Sequence, residues 1–183
     1  MLLQIGLLST LSLLANMGTV QAAPANATTA ATADPMVVLF TQKSANVTLT
    51  FYRYPEGFEP RSISADPLLH KRCGSNKVQC DFSNNLANVG TCNSVIAAIG
   101  ANSKSIIQSG TRSICASLDN AGQCCVSWNT PATFQEGDLT SAAKAVVNSC
   151  SNNGQVSRET IDTDLAGTCL VQCLSNRPAG CTG

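Results

Sequence analysis

The chain has 183 residues, 44% of them hydrophobic and only 12% charged, with eleven basic residues against eleven acidic ones. This composition excludes a disordered or fibrous chain. The balanced charge leaves neither a basic stripe for nucleic acid nor an acidic tail for a cationic partner.

Residues 1–22 read as an export signal. An apolar stretch opens at Leu2 and Leu3 and runs through Leu14, and cleavage is expected after Ala22. The stretch is shorter than the ~20 apolar residues a spanning helix needs, and no later segment supplies them. A secreted, extracellular protein without a transmembrane segment is expected. Residues 23–35 are of low complexity. Asn26-Ala-Thr28 and Asn46-Val-Thr48 are sequons, which makes Asn26 and Asn46 expected glycosylation sites. Between residues 36 and 54, Thr48, Thr50 and Tyr52 alternate with Leu49, Phe51 and Arg53, which predicts a small hairpin. Pro55 to Pro67 is turn-rich and reads as a linker.

Lys71-Arg72 stands immediately before Cys73, the first cysteine. A dibasic pair in a secreted precursor resembles the sites cut by kexin-type proteases. Such a cut makes residues 23–72 a pro-segment, with 73–183 the mature cysteine-rich domain; without it, 23–72 is a flexible N-terminal region. All ten cysteines fall in that second part: Cys73, Cys80, Cys92, Cys115, Cys124, Cys125, Cys150, Cys169, Cys173 and Cys181. An even number in an exported chain predicts disulfides, with the pairing left open. Cys169-x3-Cys173 is the nearest approach to a metal pair, yet no His accompanies it and there is no Cys-x2-Cys. No metal and no cofactor are predicted.

Within residues 73–183 the pattern predicts a short strand over 77–81. A helix follows in which Cys92, Val95, Ile96 and Ile99 share one face, with Thr91 as its cap and Gly100 at its end. Residues 101–111 read as a loop anchored by Ile106 and Ile107. Residues 112–129 predict a β-hairpin: Ile114, Ala116 and Leu118 alternate on one arm, Cys124, Val126 and Trp128 on the other, and Asp119 to Gly122 form the turn. Adjacent Cys124 and Cys125 must point to opposite faces. One is expected to reach a helix, through Cys92 or Cys150, and the other a loop or terminus, through Cys73, Cys80 or Cys181. Leu139, Ala142, Ala143, Val146, Val147 and Cys150 predict a second helix, capped by Asp138 and stopped at Asn152-Asn153-Gly154. Glu159–Thr163 and Thr168–Leu174 close the chain as a strand pair. The predicted class is α+β: an antiparallel sheet with two helices on one face, a disulfide-stapled, plait-like sandwich. Phe82, Phe134 and Trp128 are its expected large core aromatics.

Little catalytic chemistry is on offer. The single His is His70, outside residues 73–183, which excludes Ser-His and Cys-His catalysis there. The carboxylate pairs Glu136 with Asp138 and Glu159 with Asp162 read as capping and solvation rather than as a glycosidase pair. Trp128 reads as core filling rather than a sugar platform. The expectation is a protein that is not an enzyme.

The segments Arg-Ser-Ile-Cys (112–115), Gln-Cys-Cys-Val-Ser-Trp (123–128) and Cys-Leu-Ser-Asn-Arg-Pro-x-x-Cys (173–181) resemble those of small cysteine-rich secreted proteins of filamentous fungi, one group of which is called WD-like. In general style the chain is also similar to killer toxins of smut fungi and to necrosis-inducing effectors. The killer toxins are more basic, and no toxin residue maps onto this chain. The resemblance implies a secreted binding protein, effector-like or toxin-like, whose partner is an extracellular protein, a membrane protein or a cell-wall polysaccharide. The alternative is a structural or surface-interaction protein of the fungal cell wall.

Overall fold

Alternating apolar runs pair into hairpins along most of the described chain. The computed structural model describes residues 36–44, 47–58, 73–118 and 121–181. Its strands are β1 (Val37–Ser44), β2 (Val47–Arg53), β3 (Lys77–Cys80), β4 (Ala87–Asn88), β5 (Ile106–Ile107), β6 (Ser113–Leu118), β7 (Gly122–Trp128), β8 (Phe134–Gln135), β9 (Gln155–Val156), β10 (Arg158–Leu165) and β11 (Thr168–Ser175). The helices are α1 (Val89–Ala101) and α2 (Leu139–Cys150), the latter preceded by a 3-10 turn at Glu136–Asp138. Seven strands form one sheet in the order β1-β2-β6-β7-β11-β10-β3, and every pairing is antiparallel.

The α+β plait expected from the sequence is therefore corrected. Of the described residues, 44% lie in strands and 22% in helices. The fold is mostly β: three hairpins side by side, with β3 added at one edge. The physical reason lies in residues 37–53. Thr50, Phe51 and Tyr52 of β2 pair with Cys115, Ile114 and Ser113 of β6, so the first hairpin extends the cysteine-rich sheet. Leu49 and Phe51 are fully buried in the common core. The sheet does not begin at Cys73.

The hairpin over 112–129 forms in the register its alternation demands. Ile114, Ala116, Cys124 and Val126 face the core together with Trp128, while Cys115 and Cys125 stand opposite each other on the other face. Both helices pack over the core face. Cys92, Val95 and Ile99 of α1 and Leu139, Ala143 and Val146 of α2 join this cluster, each large aliphatic contributing ~1.5–3 kcal/mol by leaving water. Asn88, not Thr91, caps α1: its side chain accepts the Thr91 amide at 3.2 Å. Asp138 precedes α2, but its carboxylate accepts the Gln135 amide at 2.9 Å rather than capping the helix. Asn153 and Gly154, both with positive φ, end the turn after α2.

The second face is polar and narrow. Ser113, Ser127 and Cys173 align across β6, β7 and β11, and Ser175 lies two residues on; all are buried. The terminal turn closes over this row. A Cβ on Gly180 would lie 3.0 Å from Ser175 Cβ and 3.1 Å from Ser127 Oγ, a close approach only glycine permits.

All ten cysteines are paired. Cys92–Cys124 ties α1 to β7 and Cys80–Cys150 ties α2 to β3, so each helix is stapled to the sheet as its cysteine-bearing face predicts. Cys125 departs from expectation. It bonds Cys115 across the same hairpin rather than a loop or terminus, because the register sets the two side by side. Cys73–Cys169 and Cys173–Cys181 complete the set.

Candidate functional site

A cleft of about 430 Å³ opens where β3, β10, β11 and the terminal turn meet. Its floor is the start of β10 and the end of β11. One wall is the loop Asp81–Leu86, the other the turn through Arg177 and Gly180. The loop is fixed at both ends. Cys80 is bonded to Cys150, the Asp81 amide donates to Ser157 O at 3.3 Å, and Asn176 N donates to Asn85 O at 3.0 Å. Inside it, the Asp81 carboxylate accepts the Ser83 amide at 2.8 Å and also the Ser83 hydroxyl, the turn habit of an Asp two residues before its donor. Asn85 has φ of 54°, a conformation Asn tolerates better than most residues.

Arg158 stands at the centre. Its φ of 143° lies in a region that side chains other than glycine rarely enter. The backbone is held there from both sides, with Arg158 opposite Cys80 of β3 and Leu174 of β11. In this pose Arg158 Nη1 lies 2.6 Å from Asp81 Oδ2 and Nε lies 3.7 Å from Glu159 Oε1. The hydrogen bonds from Ser83, and then the guanidinium, hold the Asp81 carboxyl below the usual carboxylate range. With Arg177 also at the rim, two cations balance two carboxylates. The Asn84 and Asn85 side chains add amide donors and acceptors. The cleft can engage a polar ligand through many hydrogen bonds, while the Asp81 carboxyl is held ionised.

The sequence-predicted residues are placed unevenly. Glu159 faces the cleft beside Arg158, not as the partner of Asp162. Glu136 is buried away from the cleft lining, with its amide on Ser105 O at 2.9 Å and its Oε2 without a hydrogen-bond partner among the described residues. Burial pushes its carboxyl up to about 7. Trp128 is core, 5.1 Å from Phe134 edge to face. Phe82, expected in the core, is instead 49% exposed on the loop beside the cleft. Cys169 and Cys173 go to separate disulfides. Among the described residues no group of three or more His, Cys, Asp or Glu could hold a metal, and no helix is long and apolar enough to cross a membrane. Ala22, Asn26, Asn46, His70, Lys71 and Arg72 lie outside the described residues. Arg158 was invisible to sequence reasoning, since nothing local marks an arginine that will sit at positive φ. The predicted strand over 77–81 ends one residue earlier, at Cys80, and Asp81 instead opens an Asp-x-Ser turn, the local pattern that could mark this loop.

The fungal WD-like family model matches residues 19–181. The chain belongs to this family. The match covers the first hairpin as well as the cysteine-rich part, in keeping with β1 and β2 being strands of the same sheet. No curated protein and no solved structure matches the chain.

Proposed function

We propose that this family member is secreted and works outside the producing cell as a binding protein, effector-like or toxin-like, without catalysis and without a cofactor. Residues 1–22 serve as its export signal, Lys71-Arg72 as its processing site, and Asn26 and Asn46 as its glycan acceptors. Five disulfides suit an oxidising compartment. The observation that carries the reading is the pairing of both cleft carboxylates with Arg158. A general acid needs a raised pKa, and Asp81 is shifted the other way. The raised carboxyl, Glu136, is sealed in the interior where no substrate reaches it. Labelled, fully oxidised protein added to host tissue and to competitor cells at micromolar dose is expected to bind saturably and to provoke a response. Absence of both overturns the reading.

A surface-interaction role at the fungal cell wall draws on the same cleft. Its balanced charge and paired amides favour a neutral polymer over a charged partner.

A further inference from the structure

From the loop Asp81–Leu86 we infer a site for a neutral polysaccharide, with Phe82 as the stacking face and Asp81, Asn84, Asn85 and Arg177 as the groups that read hydroxyls. The inference rests on the binding role proposed above and names its ligand.

The loop separates two depressions. On one side is the Arg158 cleft of about 430 Å³. On the other is a smaller hollow of about 210 Å³, lined by Phe82, Leu86, Asn152, Asn153 and Gln155. The cleft offers the side-chain amides of Asn84 and Asn85 and the hollow those of Asn152, Asn153 and Gln155; amides donate and accept in one plane and so match adjacent ring hydroxyls. Phe82 is 49% exposed and lines the smaller hollow. The half of this ring that faces water is a surface that the apolar face of a pyranose can cover. Trp128 and Phe134, by contrast, are buried against each other and free no face for a ligand.

Charge decides between a neutral and an ionic polymer. Arg158 is already engaged by Asp81 and Glu159, so an anionic sugar would have to displace a carboxylate from it. A cationic one would have to draw Asp81 or Glu159 away from Arg158. A neutral hydroxylated chain disturbs neither. The site is also preformed: a disulfide, two backbone hydrogen bonds and the Asp81–Ser83 turn fix the loop, which lowers the ordering cost of binding.

The test uses the full-length, oxidised, isotope-labelled protein, titrated by NMR with a soluble β-1,3-glucan, a chitin oligomer, a mannan and, as the ionic control, a polygalacturonate. At least one neutral glycan is expected to bind, to shift amides of residues 81–86, and to outcompete the control. Phe82→Ala is expected to weaken it about tenfold, the loss of one stacked ring, and Asn84→Ala to weaken it by a smaller factor. Both positions are exposed, so both variants should keep five disulfides and the wild-type melting temperature. If no neutral glycan binds, or if both variants bind as wild type does, the site is refuted. Saturable cell binding that no glycan competes for would refute the site while leaving the binding role intact. Absence of any cell binding or response would overturn the role itself.

Discussion

Glu136 shows how one buried side chain can set the pH dependence of the whole fold. Among the described residues it is the only fully buried one of charged type. Its carboxyl, ordinarily at 4.5, is raised to about 7 by desolvation. Below 4.5 it is protonated in both the folded and unfolded chain and has no effect on their balance. Between there and about 7 the unfolded chain ionises while the folded one resists, so stability falls as pH rises through this window. Above it the loss levels off at ~3 kcal/mol. The urea midpoint is expected to drop between pH 4.5 and pH 7 in the wild type and to stay nearly flat in Glu136→Gln. A wild-type midpoint that rises across the window would contradict the assignment. In the sequence this residue looked like ordinary first-turn acidity beside Asp138. What hid its role was tertiary: Ser103 and Ser105 accept the backbone amides of Gly137 and Glu136 and fold the loop over them.

At the scale of elements, the first hairpin stands apart from the rest in how it is held. No disulfide reaches β1 or β2, and β2 meets the sheet through three paired residues of β6 and through Leu49 and Phe51 in the core. Phe51→Ala is expected to cost about 3–5 kcal/mol and to free the β1–β2 amides for hydrogen exchange before those of β6 and β7. Uniform loss of protection across all four strands would show that the hairpin is not a separable unit. Legibility divides along the same line. Period-two alternation at 48–53 and 112–128, and the stripe Leu139–Cys150, sufficed for elements with one wet face or one apolar stripe. The docking of β2 on β6 was not legible, since edge-to-edge pairing leaves no local pattern and the missing cysteines suggested a separate segment. The Cys125 partner was hidden likewise: opposite faces could be read from adjacency, but the residue standing opposite depends on register.

The described residues form a mostly-β sheet to which both helices and the terminal turn are fastened by disulfides. Cys73–Cys169 and Cys80–Cys150 span 96 and 70 residues and close the longest loops. Replacing Cys80 and Cys150 together with Ala should destabilise by about 2–5 kcal/mol and loosen the loop Asp81–Leu86, seen as a lower urea midpoint and faster exchange of the Asp81 and Asn176 amides. An unchanged midpoint would show that the bridge is dispensable to the fold. The architecture converges on the cleft, where three strands and the terminal turn hold Arg158 at a φ of 143° against its backbone preference. Strain of this kind, on the order of 1–3 kcal/mol, persists where the surrounding structure over-determines it. Glycine accepts the same φ without strain, at an entropic cost of roughly 0.5–1 kcal/mol, and the partly exposed ion pair lost with it is worth about 0–1 kcal/mol. The most direct test of the cleft as the recognition surface is therefore Arg158→Gly, assayed at once for its urea midpoint and for binding of labelled protein to intact cell walls. Arg158 holds the Asp81 carboxylate in place, so recognition through that carboxylate predicts wild-type stability to within about 1 kcal/mol with binding reduced at least tenfold. Wild-type binding, or a collapse in stability with it, would make Arg158 a structural residue and contradict the account.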